Sequence, residues 1–205
     1  MPIRFAGYRE FGWYPYAYGG SIPTVTHGYR HDLMTGLIRA FNGTLPTIDP
    51  TAFIAETAVV IGDVVIGAGS GIWYGCTVRG DVNEIRIGAR TNIQDGTVIH
   101  VASEGQGTYI GDDITVGHMA LLHACTLEDG CFVGMKACLM DGVHVESGAM
   151  VAAGALVTPG KRVKRGFLWA GSPARPVREL SERDLGFFPV SARRYVDLAE
   201  TYRKS

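Results

Sequence analysis

Residues 54–78 read IAETAVVIGDVVIGAGSGIWYGCTV and place an aliphatic side chain at every sixth position, beginning with Ile54. The spacing returns after short slips and continues through Ile87, Ile93, Ile99, Ile110, Val116, Leu122, Leu127, Val133, Leu139, Val145, Val151 and Val157. A six-residue period fits neither an α-helix nor a meander of hairpins. It predicts an all-β solenoid, a parallel β-helix of hexapeptide repeats whose coil has three sides and buries one aliphatic residue per side.

The composition supports short strands joined by tight turns. Glycine accounts for 28 of 205 residues, about twice its usual share. Nineteen Lys and Arg against twenty Asp and Glu give a net charge of −1, which argues against a general electrostatic attraction to nucleic acid or to an anionic membrane. No apolar run approaches the roughly 20 residues that a membrane-spanning helix needs, so we expect no membrane span.

The cysteines point to a reducing compartment. Cys76, Cys125, Cys131 and Cys138 form no CxxC pair and no disulfide framework, so we interpret them as reduced thiols that serve mainly as packing groups. The first residues carry no compact apolar stretch typical of a secretory signal. We therefore expect a cytoplasmic protein, with a mitochondrial presequence left open.

The patterns divide the chain into three segments. Residues 1–43 form an N-terminal extension rich in aromatic residues and glycine, which is either disordered or an aromatic arm that grips a partner subunit. Residues 44–175 form the β-helix, whose period is expected to stop after Val157. The basic run 161–165 is interpreted as a solvated edge of the last coil. Residues 176–205 form a helical segment that starts near Ser181 and Asp184, breaks over 186–189 and continues as an amphipathic helix over 190–202 on the solenoid's flank.

The six-residue period brings two histidines together. Arg79, His100 and His123 each follow an aliphatic position of the same face in consecutive coils. They should form a column with a spacing of about 4.8 Å, the distance between neighbouring strands. His100 and His123 are therefore able to share one metal ion, the alternative being that each is an ordinary surface residue.

A third histidine follows a different face. Asp95 should lie one coil from His118, with Gln94 beside them. His118 projects near the neighbouring edge of the triangle, so it cannot easily join the histidine pair of its own chain. A second copy packed alongside would bring its own His118 into reach, and three such edges make a trimer. Three imidazoles plus an open position are typical of catalytic rather than structural zinc.

These residues resemble the γ-class carbonic anhydrase family over roughly residues 44–205. The resemblance is carried by Arg79-Gly80-Asp81, Asn92-Ile93-Gln94-Asp95, His100, Gly117-His118, His123-Ala124-Cys125 and the segment WAGSPAR at 169–175. It is strongest for the subgroup that includes many bacterial homologues and the carbonic-anhydrase-like subunits of mitochondrial complex I.

The resemblance implies a left-handed β-helix and a homotrimer that hydrates CO₂ reversibly to bicarbonate. It implies a Zn²⁺ ion, with Fe²⁺ or Co²⁺ as alternatives, held by His100 and His123 of one chain and His118 of the next. Gln94 would hydrogen-bond the water on the metal. Arg79, Asp81 and Asp95 would support the interface, with Arg79 paired to an aspartate, expected to be Asp95, across it.

Two departures from the family pattern bear on activity. Active archetypes have a glutamate directly after the aspartate of the RGD-like motif, where this chain has Val82. The loop after His100 holds a single acid, Glu104, which is the candidate proton shuttle. Two alternatives to a zinc carbonic anhydrase therefore stay open. One is a weakly active metal-binding trimer that serves a larger protein assembly, and the other is a hexapeptide-repeat acyltransferase or thioesterase.

Overall fold

The structure is a computed structural model, and it describes residues 36–204. In this range the chain forms short strands followed by one long helix. The strands are β1 Leu37–Arg39, β2 Thr47–Ile48, β3 Phe53–Ile54, β4 Val59–Ile66, β5 Gly71–Ile72, β6 Thr77–Ile87, β7 Asn92–Ile93, β8 Val98–His100, β9 Thr108–Ile110, β10 Thr115–Val116, β11 Leu121–His123, β12 Thr126–Leu127, β13 Phe132–Val133, β14 Cys138–Leu139, β15 His144–Val145, β16 Met150–Val151, β17 Leu156–Val157, β18 Arg162–Val163, β19 Phe167–Gly171 and β20 Ala174–Glu179. The helix is α1 Glu182–Lys204.

The strands stack into three parallel faces, each built by one side of every coil. The helix face consists of β3, β5, β7, β10, β13, β16 and β19. The histidine face consists of the first half of β4 and of β6, followed by β8, β11, β14 and β17. The third face consists of β2, the ends of β4 and β6, and then β9, β12, β15 and β18. The predicted left-handed β-helix of hexapeptide repeats with a flanking C-terminal helix is confirmed.

The predicted aliphatic positions form the core. On the helix face Ile72 pairs with Ile93, and on the histidine face Ile99 pairs with Leu122. Each of these four side chains is fully buried. One aliphatic residue per side thus fills the axis of the triangle, which is the hydrophobic burial that holds the coils together.

The β-helix begins earlier than the sequence predicts, and the aliphatic period continues further along the chain. The period does not stop after Val157, because Val163 continues the stack on Val145 and Trp169 continues it on Val151. At the other end β1 pairs in parallel with β4, so the solenoid begins inside the segment that the sequence assigns to the extension. Residues 1–35 of that predicted extension lie outside the described residues.

The predicted break in the C-terminal helix is wrong, because α1 runs without interruption through Gly186 and Pro189. Ser181 caps it: its backbone N–H donates to Asp184 Oδ2 over 2.8 Å, and its Oγ accepts from the Asp184 N–H over 3.2 Å. Pro189 removes one backbone hydrogen bond, at a cost of about 3 kcal/mol in a helix interior. Burial of Phe188 against Phe132, with ring centroids 5.3 Å apart, offsets that cost.

The distal half of α1 is fixed to the first coils by aromatic contacts. The ring of Trp73 lies 5.0 Å from Phe53, 5.3 Å from Tyr195 and 5.5 Å from Tyr202, measured between centroids. Arg203 donates hydrogen bonds to the carbonyl oxygens of Thr51 and Pro50. The helix therefore packs on the helix face from β13 to the first coils. No helix in the described residues is long and apolar enough to cross a membrane.

The cysteines behave as packing groups. All four are free thiols, and Cys76, Cys125 and Cys131 are buried in the core. Burial raises the pKa of Cys76 to about 12 and that of Cys125 to about 12. Since the thiolate is the reactive form, these side chains are inert at neutral pH.

The core register makes a direct prediction for two neighbouring residues of β4. Ile66 is 1% exposed, whereas Val65 is 36% exposed on the adjacent outward position. Ile66→Ala should lower the free energy of unfolding by about 2–5 kcal/mol, while Val65→Ala should lower it by less than about 1 kcal/mol. Urea denaturation followed by circular dichroism measures both. Equal losses would mean that β4 is in the opposite register.

A candidate metal site on the histidine face

The centre of the candidate site is a pair of imidazoles. His100 ends β8 and His123 ends β11, and the two residues are direct partners in the parallel register. Their ring centroids are 5.2 Å apart, and Nδ1 of His100 lies 3.2 Å from Nε2 of His123. One coil step therefore presents two ring nitrogens to the same point in space.

Each member of this pair has a carboxylate on its other ring nitrogen. Nε2 of His100 lies 3.0 Å from Asp81 Oδ1, and Nδ1 of His123 lies 2.6 Å from Asp141 Oδ1. Such partners fix the tautomer and orientation of a histidine and make its free nitrogen a better ligand. The sequence reasoning missed Asp141, although its position one coil after His123 was a signal that could have identified it.

A local bulge brings Asp81 to His100. Strand β6 pairs Gly80 with Gly62 and then resumes with Ile85 on Val64, so residues 81–84 form an insertion in the coil. Strands β4 and β6 approach each other so closely there that a Cβ at Gly80 would lie 2.5 Å from the carbonyl oxygen of Asp63. Glycine at this position is thus what allows the insertion that carries Asp81.

Asp81 is held as a carboxylate. Although partial burial raises its pKa, hydrogen bonds from His100 and Arg79 outweigh this effect and leave the pKa below its usual value. Arg79 and Asp81 form an ion pair within the chain. The expected pairing of Arg79 with Asp95 of another copy stays a prediction, since Asp95 pairs within its own chain with His118.

His118 lies apart from the pair, in the turn that follows β10. Its Nδ1 is 2.8 Å from Asp95 Oδ2, and its side chain is 37% exposed. The turn needs a positive φ, which Met119 adopts at 59°. Within residues 36–204 no three His, Cys, Asp or Glu side chains converge on a complete metal site. One chain therefore presents a two-histidine site and a separate third histidine.

Gln94 shares a cavity wall with His118. Gln94 is 4% exposed, and its Nε2 donates a 3.0 Å hydrogen bond to Asn92 Oδ1. The amide of Asn92 is held in turn by the carbonyl oxygen of Ile114. The cavity has a volume of about 390 Å³ and lies between the helix face and α1, where Tyr195 forms part of its lining. Gln94 is thus oriented by its neighbours rather than free to rotate.

Glu104 lies exposed in the loop that follows β8. Asn83, from the inserted segment, donates from Nδ2 to the carbonyl oxygens of Ala102 at 3.3 Å and of Gly105 at 3.5 Å. At the end of the loop the hydroxyl of Thr108 donates to the carbonyl oxygen of His100 over 2.6 Å. The loop is therefore anchored both to the segment after Asp81 and to His100 itself.

Comparison with known proteins shows which solved structures this chain resembles. No protein-family model matches the chain. A solved structure of a hexapeptide transferase family protein from Anaplasma phagocytophilum is 46% identical, with a TM-score of 0.78, and the match covers 81% of this chain and 98% of that one. A putative acetyltransferase from Bacillus cereus is 34% identical, with a TM-score of 0.80 and coverage of 82% and 97%. The fold therefore defines a hexapeptide-repeat protein.

The sequence comparison is more specific. Gamma carbonic anhydrase 2, mitochondrial, from Arabidopsis thaliana is 50% identical to this chain over 162 residues. The match covers 77% of this chain and 58% of the plant protein, so the chain spans less than two thirds of that relative's length. The chain belongs to the γ-class carbonic anhydrase family.

The missed carboxylate gives a prediction for metal affinity. Asp141→Asn should weaken zinc binding by about 10–100-fold, because the amide no longer fixes His123 as the ligating tautomer. Competition with a chromophoric chelator measures the affinity. Glu128→Gln is the matched control, since Glu128 makes a similar 2.5 Å contact with His144 on the third face. If the two variants lose the same affinity, Asp141 has no special relation to the metal.

Proposed function

We propose that the chain is a zinc-dependent γ-type carbonic anhydrase that interconverts CO₂ and bicarbonate as a homotrimer. The metal would be held by His100 and His123 of one copy and by His118 of the next. The observation that carries the proposal is the in-register histidine pair, with facing nitrogens 3.2 Å apart and a carboxylate behind each ring.

The donor set fits a zinc ion. Imidazole nitrogens are common zinc ligands, and catalytic sites use three protein ligands with one position left open. His118 has the same construction as the pair, with Asp95 on Nδ1 and Nε2 left for a ligand. Because it lies on another edge of the coil, the third ligand has to come from a second copy.

Exposed apolar side chains support an interface at this place. Val98 and Leu121 are register partners on the histidine face, 38% and 36% exposed. Met119 and Met135, in turns near His118, are 60% and 54% exposed. Contact between the histidine face of one copy and the His118 edge of another would bury these side chains and close the site.

Each residue of the proposed site would have a separate role. A bound zinc ion supplies Lewis-acid chemistry, which lowers the pKa of water to near neutrality. Asp81, Asp141 and Asp95 hold the three histidines in the ligating tautomer. Gln94, with its amide fixed by Asn92, orients the reacting water by hydrogen bonding. Glu104 passes the released proton to buffer.

The route by which the released proton would reach buffer has few acidic groups. Val82 is 49% exposed where active archetypes carry an acid, and Glu104 is the only acid of its loop. This favours slow turnover, and it is the reason why a weakly active trimer that serves a larger assembly is the second candidate. Location also stays a prediction: the sequence favours the cytoplasm, while the plant relative's name places that protein in mitochondria.

An acyltransferase is the third candidate, supported by the names of the two solved relatives. Enzymes of that kind typically rely on one histidine as a general base in a cleft between subunits. The paired His100 and His123, each with its own carboxylate, argue for metal binding instead. Affinity for acetyl-CoA separates this candidate from the other two.

The proton route gives the prediction that tests the proposal. With zinc bound, CO₂ hydration should be slow in weak buffer and should rise with the concentration of imidazole, which enters and takes the proton directly. Glu104→Ala should lower the rate in weak buffer by less than the 10²–10⁴-fold typical of a well-placed general acid or base, and hardly at all in strong buffer. Stopped-flow assays with a pH indicator measure both.

Two outcomes would contradict the proposal. No turnover in any buffer at full zinc occupancy would favour the assembly subunit. Acetyl-CoA binding together with acetyl transfer, in the absence of CO₂ hydration, would favour the acyltransferase. Glu56→Ala, a change to an exposed acid of the first coil, serves as the control and should leave the rate unchanged in every buffer.

A further inference from the structure

Positive charge is concentrated at the end of the solenoid that the last coil forms. The three faces end in β17, β18 and β20, beyond which no further coil stacks in the described residues. We call this surface the basic end, and its exposed cations are Lys161, Arg162, Lys164, Arg165, Arg175 and Arg178. The sequence separates them into two runs. The fold places both runs at one end of the solenoid, because β18 is the last strand of one sheet and β20 is the last strand of the other.

The charge of the basic end is only partly compensated. Residues 158–180 contain these six cations and a single acid, Glu179. Arg162 pairs with Glu146 over 2.5 Å, and Arg178 pairs with Asp184 over 2.8 Å. In the described part of the chain the remaining four cations form no ion pair with a carboxylate. The positive charges of these four side chains are therefore available to interact with a partner.

The opposite end of the solenoid carries charges of both signs, because the exposed cations Arg39 of β1 and Arg203 of α1 lie there. Residues 44–66 contain Asp49, Glu56 and Asp63 and neither lysine nor arginine. The net charge of −1 is that of the whole chain and does not describe residues 158–180, where cations outnumber acids. Asp63 at that end pairs with Arg86 over 2.8 Å, which disfavours stacking of that end of a second copy on the basic end.

Pairing with a strand of another protein is disfavoured at the basic end. Pro176 lies on the outer strand β20 and has no N–H to donate, so this edge is poorly suited to pairing with a strand of another protein. Val177, beside it, is 62% exposed and has Arg175 and Arg178 close by in sequence. Basic side chains around an exposed apolar residue are the combination by which proteins bind the interface of an anionic membrane.

We propose that the basic end binds the surface of membranes that contain anionic phospholipids. Each Lys or Arg near such a surface strengthens binding by about fivefold, and Val177 inserts between the headgroups. Binding would not occupy the histidine face, because that face forms a side of the solenoid rather than its end. The inference does not depend on the metal site, although three parallel copies in a trimer would place three basic ends in one plane.

Vesicle sedimentation with the full chain tests this. The protein should sediment with mixed phosphatidylcholine–phosphatidylglycerol vesicles, remain in solution with phosphatidylcholine alone, and be released by added salt. Lys161→Glu with Lys164→Glu should weaken the binding by at least about 25-fold. These side chains are exposed, and only their backbone carbonyls accept hydrogen bonds, from His144 and Phe167, so the fold should persist.

The matched control makes the same change in charge elsewhere. Arg39→Glu with Lys204→Glu alters two exposed cations outside the basic end and should change vesicle binding by less than about twofold. Equal weakening by both double variants, or no sedimentation of the unaltered protein at low salt, would overturn the proposal. Binding to duplex DNA or polyglutamate but not to vesicles would also overturn it. None of these outcomes bears on zinc binding or on CO₂ hydration.

Discussion

The parallel register between successive coils is the constraint on which the rest of the molecule depends. One aliphatic side chain per six-residue side is buried in the axis, and each pairs with its counterpart a full coil away, as Ile99 does with Leu122. The same register also determines the position of the outward-facing residue that follows each buried one. His100 and His123 face each other because the two buried residues before them stack. Packing of the core thus builds the histidine pair.

Features with a local period could be predicted from the sequence, and features made by tertiary contact could not. The aliphatic period predicted the coils and the histidine pair. The helix break was predicted from the segment that runs from Gly186 to Pro189, and burial of Phe188 on the solenoid outweighed the effect of these residues. Strand β1 escaped notice because Ile38 and Ile48 are not six residues apart, although each stacks on the core, against Val60 and Ile66.

Asp141 shows how a charged residue is misjudged when it is considered alone. In sequence it is an acid in a turn, and only its position one coil beyond His123 gives it a partner. The basic end is similar, since the run 161–165 reads as an ordinary solvated edge until the fold brings Arg175 and Arg178 of β20 to the same end of the solenoid. A solenoid converts separations of a coil or more into contacts, so its chemistry is organised by register rather than by proximity in sequence.

The central claim is that one zinc site combines residues of two copies, and refolding of mixed variants tests it most directly. His118→Ala and His123→Ala chains each lack a ligand at every interface of their own trimers. In a mixed trimer one interface joins the intact His100 and His123 of one chain to the intact His118 of the other. The account predicts that separate variants bind almost no zinc, whereas chains refolded together recover up to one ion per mixed trimer, as measured by native mass spectrometry. A mixture that binds no more zinc than its separate components would contradict it.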